Sequence, residues 1–170
     1  MAKVNRVRIL LLAAWLGVAL YFSAVVAPAA FGVLRSFSLA NAGEIAGTIV
    51  NRSLAAVNQS GVLVGLLLLV AAPAVKQRYA RVSFVVQNFL IATVAIACGL
   101  GEWVIAARMR ELRVAMHGQI DQVPLTDPNR AAFGALHVYS VGALSVAMIA
   151  ALVVLLLVVF SRERNGVTPT

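Results

Sequence analysis

Two stretches decide the fold: Val82–His117 (VSFVVQNFLIATVAIACGLGEWVIAARMRELRVAMH) and Pro128–Arg162 (PNRAAFGALHVYSVGALSVAMIAALVVLLLVVFSR). Each is about 35 residues long, roughly 52 Å as an α-helix rising 1.5 Å per residue. A hydrocarbon core is only about 30 Å thick. Both stretches therefore predict helices that cross a membrane and continue beyond it, joined by the polar turn Gly118–Asp127. Asp127-Pro128 is the sharpest boundary in the chain, an N-cap acceptor followed by proline at the first helical position.

Two further apolar runs lie upstream. Ile9–Leu34 follows Lys3, Arg6 and Arg8. That basic start also fits a secretory signal peptide, but the run is long for one and predicts a transmembrane helix. Pro28 sits near its far end, where a kink costs least. Asn41-Ala42-Gly43-Glu44 reads as a capping box, Asn41 at the N-cap and Glu44 at N3, opening a second helix that closes at Pro73. Gly61 and Gly65 within it form a small-xxx-small pair that lets helices approach closely. The expected architecture is all-α: a single domain over residues 1–170, a four-helix transmembrane bundle with helices at about 9–35, 42–75, 82–117 and 128–162. Its third and fourth helices extend beyond the membrane. The tail Asn165–Thr170 is expected to be disordered.

Composition agrees. The 170 residues are 62% hydrophobic and 12% charged, half the roughly 25% of soluble domains, and mean hydropathy is +0.94. The net charge of +8 comes from short basic clusters at the ends of apolar runs, a membrane-topology pattern rather than a nucleic-acid surface. With four crossings, the side holding both termini and the 76–81 turn carries +7 and the other side +1. The positive-inside rule then puts both termini in the cytoplasm and the protein in the cell inner (plasma) membrane. Cys98 is the only cysteine, which excludes an intrachain disulfide.

Counting 1.5 Å per residue from the basic anchors brings polar residues of the helices to one layer near the outer membrane boundary. Glu102 and His137 are the least expected residues there, with Arg52 and Asn58 at similar height and Trp103, Tyr139 and Phe31 as an interfacial aromatic belt. Ionisable groups at membrane depth tend to mark sites, so these residues, with Arg108 and Arg113, are candidates for a polar pocket. A plainer role fits as well: Glu102 and His137 pairing with Arg108 or Arg52 and orienting the helices. The numbers of Glu102 and His137 predict a height difference of about one turn on an antiparallel hairpin. Rotation stays open.

Metal and catalytic chemistry find little support. Cys98, Glu102, Met109 and Met116 fall within about 40° on a helical wheel, a soft-metal pattern, but Cys98 and Met116 are roughly 27 Å apart along the axis. His117 lies about four turns beyond Glu102, too far out to join His137 in ligating haem. No nucleophile–base pair, phosphate loop, HExxH or CxxC motif occurs in the sequence. Neither an enzyme nor a metal or cofactor site is expected.

Trp15-Leu16-Gly17, Phe22, Val25-Val26-Ala27-Pro28 and Phe31 resemble the bacterial uncharacterised membrane family related to transmembrane protein 205. So do Ala42-Gly43, Arg108 to Arg113, Asp127-Pro128, Phe133, Leu136-His137 and Ser140. The resemblance covers roughly residues 9–158. It implies a four-helix membrane domain of unassigned activity, an animal relative associated with resistance to platinum drugs, and distant kinship with the copper-resistance D family and a haem-linked oxidase family. Of the family's characteristic residues, Pro28, Arg108, Arg113 and His137 have counterparts here; the first-helix histidine of the haem-linked relatives does not. Two functions follow as expectations: a small transport or metal-handling protein with a polar pocket, or a non-catalytic accessory or scaffold subunit of a larger membrane complex. Expected partners are the lipid bilayer and either other membrane subunits or further copies of the chain, with no nucleic acid.

Overall fold

The computed structural model describes residues 2–39, 41–116, 120, 122–124 and 126–160. Four helices are long and apolar enough to cross a membrane: Val4–Ser36, Ala42–Val70, Arg81–Ala115 and Pro128–Phe160. No strand occurs among the described residues. The chain is an all-α, multi-pass membrane protein. The expected helix ends at His117 and Arg162, and the tail, lie outside the described residues.

The first rod consists of α1 (Ala2–Tyr21), a π turn (Phe22–Val26) and α2 (Ala27–Ser36). Pro28 has no N–H to donate, and its ring crowds the carbonyl four residues back; the wide turn directly upstream absorbs that mismatch without breaking the rod. The second rod is α3 (Ala42–Val70), which ends earlier than the sequence pattern predicts and gives way to a 3-10 segment, Ala72–Arg78. Pro73 is the reason, since it has no N–H to donate and its ring crowds the carbonyl four residues back. The third rod runs through α4 (Arg81–Gly99), a second π turn (Leu100–Ile105) and α5 (Ala106–Ala115). The fourth is α6 (Pro128–Phe160), capped by Asp127, whose Oδ1 accepts from the N–H groups of Asn129 (2.8 Å) and Arg130 (3.1 Å).

The expected capping box at Asn41 does not form: its side chain makes no cap hydrogen bond. Glu44 is engaged elsewhere, its Oε2 lying 3.3 Å from Arg113 Nη2. An ion pair between rods has replaced a local cap.

Rods pack in chain order around a square, α1 against α3 and α6, and α4 against α3 and α6. One core runs along the axis, with Leu12, Trp15, Ala19 and Phe22 meeting Val57, Leu68, Ile91, Cys98, Ala147 and Val154. Gly61 and Gly65 sit where α3 comes nearest to its neighbours. A Cβ at 61 would lie 2.6 Å from Cys98 Sγ and 2.8 Å from Trp15 Nε1, and one at 65 would lie 2.8 Å from the Cβ of Ala95. Because Gly61 has no side chain, the indole reaches past it and donates to the Val57 carbonyl at 3.0 Å. The outward surface is apolar, including Leu10, Leu63, Phe89, Ile96 and Ile149, as contact with lipid tails requires.

At the end of the bundle nearest the N-terminus, Arg8 departs from its expected role as a solvent-side anchor. It is only 1% exposed. Its Nη2 donates to Gln87 Oε1 at 3.2 Å, and its guanidinium stands 5.7 Å from the centroid of Tyr79, whose hydroxyl donates to Asn5. Its Nε and Nη1 are buried without a partner.

A candidate anion-binding cavity

At the opposite end, the apolar core gives way to a cavity of about 530 Å³. Each rod contributes residues at helical spacing, so one face of each is turned inward. From α2 come Phe31 and Arg35. From α3 come Gly43, Gly47, Val50 and Leu54. From α5 come Ala106, Met109, Arg110 and Arg113, and from α6 Phe133, His137 and Ser140. The walls are mostly apolar, and the charged groups among the lining residues are arginines, with no carboxylate.

Arg113 ties the site together. Besides its ion pair with Glu44, its guanidinium lies 5.9 Å from the Phe133 ring centroid. It also rests across Gly47, where a Cβ would stand 3.2 Å from Nη2. It therefore joins α3, α5 and α6, and a side chain at 47 would press on it. Arg35 lies over Phe31 at 5.9 Å. Arg110 approaches Glu102 at 3.9 Å, a long contact between a half-exposed guanidinium and a carboxylate whose side chain is 8% exposed. Glu102 Oε2 is buried without a hydrogen-bond partner.

A second, smaller hollow of about 290 Å³ adjoins the cavity. Arg110, Arg113 and Asn51 line both, while Arg52, Thr48 and Ala55 line the smaller alone. Neither Arg35 nor Arg52 has a carboxylate within ion-pair distance among the described residues.

The residues singled out from the sequence are thus divided. Arg113, Arg52 and His137 line these hollows. Arg108 does not; it pairs with Glu111 on the exposed side of α5, an i,i+3 surface pair of little energetic weight. Asn58 is buried deeper, its Nδ2 3.1 Å from where a Cβ on Gly101 would be. No hydrogen bond or ion pair joins Glu102 and His137 among the described residues; Glu102 is buried against Arg110, and His137 is exposed on the cavity wall. Similar height never determined rotation. Glu102 also sits inside the π turn, which inserts about one residue and rotates the downstream part of the rod by roughly 100°. Cys98 lies in the apolar core and Met109 farther along, in the cavity lining. No group of three metal-ligating side chains occurs among the described residues.

Sequence reasoning missed Arg35, Arg110 and Gly47. Arg110 and Arg113 are three apart on one helix face, and Gly43 and Gly47 repeat the small-xxx-small spacing. Those were the available signals.

A family described as a domain of unknown function (DUF4149) matches residues 10–118. That match spans the first three rods. No curated protein and no solved structure matches the chain.

Proposed function

The chain belongs to the DUF4149 family, and from that premise we propose that this multi-pass membrane protein binds a small organic anion, as part of a transport function. The carrying observation is the cavity ringed by all four rods, with mostly apolar walls and Arg35, Arg110 and Arg113 among its lining residues. Its volume lies within the range of about 300–1,000 Å³ typical of small-molecule sites. A cation is disfavoured there, because no carboxylate lines the cavity and Arg35, permanently charged, has no carboxylate within ion-pair distance among the described residues. This lining favours an organic anion over the metal-handling variant of the same idea. It also favours binding over catalysis, since guanidinium groups serve as fixed charges rather than as acids or bases.

The charge difference of +7 against +1 supports placing the termini in the cytoplasm of an inner (plasma) membrane and the cavity at the outer boundary. The order of motifs supports kinship with the family related to transmembrane protein 205, and that resemblance in turn implies a more distant one with copper-resistance D.

Purified full-length chain in neutral detergent tests the reading by thermal stabilisation. A ligand at about 100 times its Kd adds roughly 2.7 kcal/mol. Naphthalene-1-sulfonate should raise Tm, naphthylmethylammonium should not, and Arg113→Gln and the exposed Arg35→Gln should each weaken the response. Equal shifts from both probes, or none from either, would overturn it and leave the accessory or scaffold subunit as the better reading.

A further inference from the structure

The two hollows share a wall, and that shared wall specifies a ligand more closely than either hollow alone. This step rests on the anion-binding reading. We infer that the ligand is a phosphate-headed amphiphile, its phosphate held by Arg52, Arg110 and Arg113 in the smaller hollow and its apolar body lying in the larger cavity.

Three observations lead there. First, the spaces differ in chemistry. The smaller hollow is lined by three arginines with Thr48 and Asn51, whereas the larger adds Phe31, Val50, Leu54 and Phe133. A molecule that reaches from one to the other across Asn51, Arg110 and Arg113, the residues common to both, must be polar at one end and apolar at the other.

Second, the number of guanidiniums suits phosphate. One arginine fork satisfies one carboxylate in a bidentate pair. Three forks around one small space match a group with three or more oxygens and a charge of about −1.5 to −2.

Third, the local charges leave that amount to be neutralised. Glu44 is taken by Arg113 and Glu102 faces Arg110, while Arg52 and Arg35 have no carboxylate among the described residues. One uncompensated positive charge, Arg52, lines the smaller hollow and a second, Arg35, lines the larger cavity; a phosphate monoester supplies nearly two negative ones.

Free phosphate and a lipid headgroup offer the same chemistry to Arg52, Arg110 and Arg113; the apolar chamber selects the lipid-like source.

The test measures binding of dodecyl phosphate to the full-length chain in neutral detergent, with naphthalene-1-sulfonate and inorganic phosphate as companion probes. Arg52→Gln is the main variant, because Arg52 is exposed and makes no ion pair, so its loss spares the fold. The expected result is at least a tenfold weaker affinity for dodecyl phosphate in Arg52→Gln, with naphthalene-1-sulfonate binding changed by less than about threefold. Gly47→Val, which presses on Arg113 from α3, should weaken both probes. Equal loss of both in Arg52→Gln would show a general charge effect and overturn the headgroup site while leaving the anion cavity standing. Displacement of dodecyl phosphate by equimolar inorganic phosphate would overturn the amphiphile. No binding of naphthalene-1-sulfonate to the unaltered chain would remove both readings together.

Discussion

Gly61→Ala is the sharpest probe of how this bundle is held together. The added methyl would lie 2.6 Å from Cys98 Sγ, 2.8 Å from Trp15 Nε1 and 2.9 Å from Trp15 Cε2. Ordinary contacts are about 3.5–4.0 Å, so one or more rods must move by about 1 Å. Cys98 and Trp15 are 0% and 4% exposed, which leaves them little room to yield. Overpacking of this kind costs about 1–3 kcal/mol. If the indole gives way, its buried N–H also loses the Val57 carbonyl, at about 1–3 kcal/mol more. A total of about 2–6 kcal/mol corresponds to a fall in Tm of roughly 5–20 °C for a chain of this length. In a Trp103→Phe background Trp15 is the sole tryptophan, so its emission reports both unfolding and the indole's surroundings. The variant should unfold earlier with shifted emission, and adding Cys98→Ala should recover part of the loss, because the closest clash is with the sulfur. If Gly61→Ala leaves both Tm and emission unchanged, the three rods do not meet at Gly61.

Two other outcomes are expected from the remaining structure. Gln87→Leu removes the hydrogen-bond acceptor of the buried Arg8 guanidinium and should destabilise the chain by about 1.5–3 kcal/mol, read by thermal unfolding; Arg8→Met added to it should restore much of that, and a neutral Gln87→Leu would deny the bond its importance. Thr126→Cys in a Cys98→Ser background should react with an impermeant maleimide in intact cells, and labelling only after permeabilisation would reverse the proposed orientation.

How far the site was legible can be judged from single residues. Asp127-Pro128 specified its own helix start, because capping is local chemistry between a side chain and amides two and three residues on. Asn41 and Glu44 carried an equally good local pattern and did not cap, because Arg113, far away in sequence, offered Glu44 a charged partner. Arg8 was read as one of the basic anchors that close the first helix, yet it is enclosed by Gln87 and Tyr79, both distant in the chain. The arginine-lined hollows were half visible: Arg52, Arg113 and His137 were candidates, whereas Arg35 and Arg110 entered only as charges to be counted.

The sequence by itself determined the four apolar helices, their approximate limits and their all-α class. Those depend on length, hydropathy and breakers such as Pro73, which act within a segment. Tertiary structure decided which polar groups meet. The π turn at Leu100–Ile105 changes the rotation of everything after it, and no periodicity in the sequence announces where a helix takes in one extra residue. Height along a rod comes from counting, because the rise per residue is nearly constant. Facing comes from packing, and packing set Glu102 beneath Arg110, put His137 on the cavity wall and drew Arg113 across Gly47 to Glu44.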